Sequence, residues 1–263
     1  MRIRLPQAGL PRDKPPICTE PGWRACVEQK ARNQMTKPIE NEKLASFIDH
    51  TILKPDAIAS EVERHCAEAR EHGFKSVCVN AVHVAQVAQA LRGSGVLTCA
   101  VVGFPLGATL PAIKAAEAAA VIEAGAAEVD MVINIGALKE GRIDAVREDI
   151  AAVRKACGNK LLKVIIETCL LDDEQKRQAC GAAKEAGADF VKTSTGFSKS
   201  GATVADVRLM REVVGLDMGV KASGGIRTRA DALAMIEAGA TRIGASASVD
   251  IVAGGQPSAQ GGY

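Results

Sequence analysis

From about residue 40 onward the chain alternates two kinds of segment. Short runs rich in Val and Ile are separated by longer, Ala-rich stretches with recurring apolar positions. Near-continuous apolar runs suit parallel strands that are covered by helices on one face and packed inside a barrel on the other. The Ala-rich stretches have the period of helices that lay one apolar face on a core. Strands are predicted at Phe47–Leu53, Ser76–Asn80, Thr98–Gly103, Glu128–Ile135, Leu161–Glu167, Phe190–Ser194, Gly219–Ser223 and Arg242–Ser246. Helices are predicted over 57–72, 82–92, 109–124, 140–157, 172–186, 203–214 and 228–238. Eight strands with seven helices between them is the order of a (β/α)8 barrel, a fold of about 250 residues.

A repeated junction strengthens this reading. Glu71-His-Gly-Phe-Lys-Ser-Val77 returns as Glu123-Ala-Gly-Ala-Ala-Glu-Val129, Glu185-Ala-Gly-Ala-Asp-Phe-Val191 and Glu237-Ala-Gly-Ala-Thr-Arg-Ile243. The glycines at 73, 125, 187 and 239 read as residues just past helix ends, where a left-handed conformation is needed. An open doubly wound sheet is the alternative. No G-x-G-x-x-G follows the first strand, which removes that fold's commonest nucleotide signature.

Composition narrows the field further. Hydrophobic residues make up 47% of the 263 and charged residues 24%, as in ordinary globular domains. A net charge of +2 offers no basic field for nucleic acid, and 3% aromatics offers few stacking platforms. No apolar run approaches the ~18 residues of a membrane span. Charge is uneven, however. Residues 1–38 carry eight basic and three acidic residues and six of the ten prolines, which leaves the remainder slightly acidic. The expected organisation is a basic, Pro-rich, disordered extension at 1–39, a barrel at 40–253, and a flexible Gly/Ser-rich tail at 254–263. The extension lacks the apolar core of a secretory signal, and its prolines and acidic residues weigh against a transit peptide. Met35 stands just before the barrel begins, so translation starting upstream is a second account of the extension.

Eight cysteines show no C-x-x-C pair, and Cys66, Cys78, Cys99 and Cys169 lie in apolar periodic segments. Buried, reduced thiols in a cytoplasmic protein are expected. His50, His65, His72 and His83 have no metal-ligand spacing, so no metal is expected. His65 and His72 read as helix-surface residues, and His50 as a local hydrogen-bond partner beside Asp49.

Barrel chemistry sits at the C-terminal ends of strands. Charged residues stand there or inside the apolar runs: Asp49, Asp130, Lys163, Glu167, Lys192 and Lys221. Such groups are costly to bury unless paired, so interior ion pairs acting as structural glue are one reading. Three features favour chemistry. Asp130, Lys192 and Lys221 lie on strands whose ends converge on one axis. Two lysines outnumber the nearest carboxylate. Small residues follow both lysines, in Thr193-Ser194-Thr195-Gly196 and Ala222-Ser223-Gly224-Gly225, leaving room for a ligand. A lysine beside a second cation loses its proton more readily, and a neutral amine attacks a carbonyl to form a Schiff base. Ser223-Gly-Gly-Ile-Arg227 and Gly244-Ala-Ser246 occupy the two loops where barrels often bind phosphate, although such glycines can also simply turn the chain. Gly196–Thr203 has glycine spacing like a P-loop but no lysine at the decisive position, which excludes ATP binding.

Six segments in order resemble the deoxyribose-phosphate aldolases, a class I aldolase family. They are Phe-Ile-Asp-His-Thr-Ile-Leu-Lys-Pro (47–55), Ser-Val-Cys-Val-Asn (76–80), Glu-Val-Asp-Met-Val-Ile-Asn-Ile-Gly (128–136), Leu-Lys-Val-Ile-Ile-Glu-Thr (162–168), Phe-Val-Lys-Thr-Ser-Thr-Gly-Phe (190–197) and Val-Lys-Ala-Ser-Gly-Gly-Ile-Arg-Thr (220–228). The resemblance implies a (β/α)8 barrel that reversibly cleaves 2-deoxy-D-ribose 5-phosphate to glyceraldehyde 3-phosphate and acetaldehyde. It implies Lys192 as the Schiff-base lysine, Asp130 and Lys221 as proton-relay partners, and Asp49 as an organiser. It places substrate phosphate on Gly196, Gly224, Gly225, Arg227, Gly244 and Ser246, and gives C-terminal Tyr263 a role in proton transfer. Cofactors are not required, the partner is a small phosphorylated sugar, and a homodimer or homotetramer is expected. Phe197 stands where some members have Lys, and Ala247 where a second Ser is found. Rival readings are a Schiff-base aldolase for another phosphorylated sugar and a non-catalytic sugar-phosphate-binding barrel.

Overall fold

A computed structural model describes residues 40–254 of the chain. Strands β1 (Ile48–Ile52), β2 (Ser76–Val79), β3 (Leu97–Val102), β4 (Glu128–Val132), β5 (Leu161–Ile165), β6 (Phe190–Lys192), β7 (Gly219–Ser223) and β8 (Arg242–Ala245) form a closed barrel in chain order. Every pairing is parallel, and β8 closes on β1 through Asp49 opposite Gly244. Closure removes both sheet edges, so every strand finds two backbone partners. The doubly wound alternative is thereby excluded.

Ten α-helices lie among the described residues: α1 (Asn41–Ala45), α2 (Ala59–His72), α3 (Val84–Ala90), α4 (Pro111–Glu123), α5 (Ile135–Lys139), α6 (Ile143–Cys157), α7 (Asp173–Glu185), α8 (Val204–Val214), α9 (Arg229–Glu237) and α10 (Ser248–Ala253). Apolar side chains between the strands and this helical shell form the main core, with Val62, Val87, Val121, Ile150, Ala182, Val207 and Ile251 fully buried or nearly so. None of the described helices is long and apolar enough to cross a membrane.

The seven predicted helices are present, with differences at their ends. The predicted helix over 82–92 begins as a 3-10 turn at Ala81–His83. The one over 140–157 starts at Ile143, because Gly141 turns the chain with φ of 72° and separates it from the short α5 before it. Asn134 ends the predicted fourth strand early by accepting a hydrogen bond from the Ala137 N–H (3.0 Å), which starts α5. Helices α1, α5 and α10 are short and carry too few turns for a period to show in sequence. All four junction glycines take positive φ: 66° at Gly73, 112° at Gly125, 77° at Gly187 and 112° at Gly239. Residues 1–39 and Tyr263, with most of the predicted tail, lie outside the described residues.

Expectations about three side chains need correction. His65 is not a surface residue: its ring stacks on that of His50 at 4.4 Å between centroids. His50 points away from the barrel interior toward α2, and its Nε2 meets Glu68 at 2.8 Å rather than the neighbouring Asp49. Cysteines 66, 78, 99, 157 and 180 are buried, but Cys169 is half-exposed on the 3-10 turn Thr168–Leu170. The predicted fifth strand reached Glu167; β5 ends at Ile165, which leaves Cys169 on the rim.

Burial, with His50 alongside, pushes the His65 imidazole down to about 4. Burial pushes His50 down as well. As pH falls below about 6.5, the histidines of the unfolded chain take protons that the folded protein refuses. Stability attributable to this stack is therefore complete above that pH and lost on the way to pH 4. The urea midpoint is expected to fall between pH 7 and pH 5, where most carboxylates stay charged. His65→Leu should flatten that fall, and an unchanged slope would refute the assignment.

Candidate active site

Side chains two positions apart on a strand share a face. Glu128 and Asp130 on β4 therefore both enter the barrel, as do Asp49 from β1, Lys163 from β5, Lys192 from β6, Lys221 from β7 and Arg242 from β8. All seven are buried. Burying one charge without a partner costs several kcal/mol, so these groups must solve one another's solvation.

Their contacts form a continuous network. At the N-terminal end of the barrel, Arg242 donates to Glu128 (2.9 Å) and to Asp49 (2.8 Å). Lys163 Nζ stands 2.6 Å from Glu128 and 2.7 Å from Asp130. Lys221 Nζ bridges Asp49 (2.5 Å) and Asp130 (2.8 Å). At the C-terminal end, Lys192 Nζ donates to Asp130 Oδ2 at 2.9 Å, the same oxygen that Lys221 uses. Burial alone would push the Asp130 carboxyl up. Lys163, Lys192 and Lys221 outweigh it and hold the group well below the carboxylate range. Burial works against charge on Lys163 and Lys221 too, yet the carboxylates around them raise both above the ordinary lysine value.

Four cations thus face three carboxylates in the interior. Lys163 and Lys221 each touch two or more carboxylates, whereas Lys192 touches Asp130 and sits at the mouth. Two amine groups thus meet one oxygen of Asp130, one of them at the mouth. That is the condition for an amine nucleophile beside a carboxylate that moves protons.

The loops after β6 and β7 meet backbone to backbone above this network. Ala202 N–H donates to the carbonyls of Ser223 (3.1 Å) and Gly224 (3.0 Å). A side chain at Gly201 would lie 2.0 Å from the Gly224 carbonyl oxygen, so this approach requires glycine. Ser223 Oγ donates to the Ser194 carbonyl at 2.6 Å. Ser194 Oγ is buried beside these glycines without a hydrogen-bond partner. Gly196 is half-buried, Gly225 and Arg227 are exposed on the same rim, and Ser246 follows β8 half-buried. Gly244 lies inside β8 rather than in the loop after it, and makes room for the stem of Lys221.

The structure therefore brings Asp49, Asp130, Lys192 and Lys221 together. Glu128 and Arg242 belong to the same network and carried no weight in the sequence. Their signal was a charge at the first position of an apolar strand. Lys163 was visible as a strand charge without an assigned role. Cys99 Sγ, 3.2 Å from Asp130 and 3.3 Å from Lys163, and its cross-strand neighbour Cys78 complete the lining. Cys78, Cys99 and Asp130, and also Asp49, Cys99 and Glu128, lie close enough to share a metal ion. Lys163 and Lys221 already occupy those carboxylates, and a cation would have to displace them. His50, His65 and Glu68 also cluster, but stacked rings do not aim their in-plane lone pairs at one point.

The DeoC/LacD family aldolase profile matches residues 43–254. The chain belongs to that family. This DeoC/LacD family chain is 63% identical over 224 residues to a deoxyribose-phosphate aldolase of Rhodospirillum rubrum, covering 84% of this chain and 94% of the relative. It is 60% identical to a deoxyribose-phosphate aldolase of Streptococcus suis, over 84% of this chain and 100% of the relative. Among solved structures, a tetrameric deoxyribose phosphate aldolase from Aeropyrum pernix superposes with a TM-score of 0.79 at 35% identity, over 84% of this chain and 94% of that one. The match begins where the apolar alternation begins and ends with the eighth strand–helix unit, so family membership rests on the whole barrel.

A methyl group at position 244 would come 2.9 Å from Lys221 Cε and 3.0 Å from Ser223 Cβ. Gly244→Ala should destabilise the fold by about 1–3 kcal/mol through overpacking. In its crystal structure Lys221 should move away from Asp49 and Asp130; contacts unchanged from the parent would sink this account of Gly244.

Proposed function

We propose that the chain is a class I aldolase that reversibly cleaves 2-deoxy-D-ribose 5-phosphate to D-glyceraldehyde 3-phosphate and acetaldehyde. The observation that carries the reading is the pair of lysine amines on one oxygen of Asp130, at 2.9 Å for Lys192 and 2.8 Å for Lys221. Near-full-length relatives of the same name, at 63% and 60% identity, supply the substrate.

In this mechanism Lys192 Nζ, freed of its proton, adds to the C1 aldehyde of the open-chain sugar. Loss of water gives an iminium ion, which draws electrons from the C2–C3 bond. A base removes the C3 hydroxyl proton, the bond breaks and glyceraldehyde 3-phosphate leaves. The remaining enamine takes a proton at C2, and water releases acetaldehyde and restores the amine. Asp130 and Lys221 pass these protons, and Asp49 and Arg242 keep Lys221 and Asp130 in register. Tyr263, the chain's only tyrosine, is proposed as a further proton donor at C2. The phosphate is proposed to meet Gly196, Gly224, Gly225, Arg227, Gly244 and Ser246. The unpartnered Ser194 hydroxyl supports an oxyanion seat there. No cofactor enters the scheme.

Phe197 packs edge-on against Phe104 with centroids 5.3 Å apart, which makes this side of the mouth apolar. A homodimer or homotetramer is proposed, supported by exposed Leu110 and Ile113 at the start of α4 and exposed Leu106 in the loop before it. A cytoplasmic location fits the five buried free thiols.

Borohydride reduction in the presence of acetaldehyde is expected to leave a stable adduct on Lys192. Lys192→Ala should abolish both the adduct and cleavage while its circular dichroism stays unchanged. Turnover by that variant, or an adduct mapped elsewhere, would overturn the assignment.

A further inference from the structure

We propose that Glu167 is a positioning residue that shapes the phosphate seat of this site by holding Thr195, three residues beyond Lys192. This inference rests on the aldolase reading given above. Glu167 is the only described residue other than glycine with a positive φ, at 55°. Left-handed backbone at such a residue is strained and survives only where its surroundings enforce it. The enforcement is visible in the backbone. Ile166 N–H donates to the Lys192 carbonyl (3.0 Å), and Thr168 N–H donates to the Thr193 carbonyl (2.9 Å). Two residues on the β5 side are thus matched by one on the β6 side, so Glu167 is the extra residue of a bulge. Bulges beside sites serve to re-aim a side chain.

The re-aimed carboxylate is buried and engaged. Thr195 Oγ1 donates to Glu167 Oε2 at 2.5 Å, and the Thr195 N–H approaches both carboxylate oxygens at 3.3 Å. Thr195 Oγ1 in turn accepts from the Phe197 N–H at 3.0 Å. Glu167 therefore fixes both sides of Gly196, the glycine that packs toward Gly224. Burial pushes the Glu167 carboxyl up, and Lys192 opposes that rise, so the group senses the site without touching the amine. Cys169 Sγ, 4.0 Å from Glu167 and 3.3 Å from Ser198, ties the same two loops together a second time. A carboxylate that merely stabilised the barrel would not need a strained backbone directed at the loop that follows the reactive lysine.

The test separates positioning from general support. Glu167→Ala and Thr195→Val are each assayed on 2-deoxyribose 5-phosphate and on unphosphorylated 2-deoxyribose, with borohydride trapping of acetaldehyde as a readout that involves no phosphate. For a hydrogen bond to a charged group, KM for the phosphorylated sugar should rise about tenfold or more. Its kcat, the kinetics on the unphosphorylated sugar and the trapping rate should change by less than about twofold. Glu167→Gln, which keeps an acceptor for Thr195 Oγ1, should recover most of the lost affinity. Equal losses on both sugars, slowed trapping, or an unchanged KM would overturn the inference. Should Glu167→Ala fail to fold, Thr195→Val reads the same contact from its other side. A folded parent protein that cleaves neither sugar would instead remove the aldolase reading itself.

Discussion

The Asp130 carboxylate is the group on which the interior depends. Three lysines from three other strands donate to it, and it has no access to water. Remove its charge and Lys163, Lys192 and Lys221 are left repelling one another in a closed, dry space. Remove one lysine and the carboxylate still has two. This asymmetry makes the carboxylate the hub and the lysines the adjustable parts.

A barrel whose interior is filled with charge must draw its stability from elsewhere. Here the apolar layer lies between strands and helices, where Val62, Val121, Ile150 and Val207 are fully buried or nearly so. Even that layer contains one ion pair, Lys114 with Asp149 at 2.5 Å, joined to the Val132 carbonyl at 2.8 Å. Buried pairs of this kind contribute little net stability but define which neighbours meet. The pair sits directly behind β4, the strand that delivers Asp130. On the proposed reading, the chemistry is therefore carried by short strands with two backbone partners each, while loops carry recognition.

That division also explains what the sequence disclosed. The strands were legible because Val and Ile runs cannot be disguised, and the four junction glycines marked helix ends correctly. Asp130, Lys192 and Lys221 stood out as charges in such runs. Lys163 stood out equally but could not be ranked, because its importance lies in contacts with Glu128 on the neighbouring β4 and Asp49 from across the barrel. Arg242 and Glu128 open their strands, where a charge gives no sign of which way the side chain points. His65 read as a surface residue because helical spacing alone does not reveal the ring of His50 beneath it. Gly244 read as part of a phosphate loop; that it lies inside β8, where its lack of a side chain also clears a path for Lys221, needed the structure. Glu167 was the least legible: nothing in Ile-Ile-Glu-Thr announces a left-handed residue, which follows only from the mismatch between β5 and β6.

Separation of rigid chemistry from loop recognition has a further consequence. Lys192 ends β6, and Gly196 and Phe197 lie only four and five residues further on. A change in that loop would shift the Lys192 amine if nothing held the strand end in place. Thr193 guards against this, because its N–H bonds the Lys221 carbonyl at 3.0 Å and its hydroxyl is tied to Ser223. Beyond Thr193 the chain passes to a different anchor, Thr195 on Glu167. Strain at one residue of β5's end is thus the means by which the loop gains a support independent of the strand that carries the amine. With the two supports distinct, an apolar Phe197 can occupy the rim and alter what the mouth accepts while the Asp130 network below stays as it is.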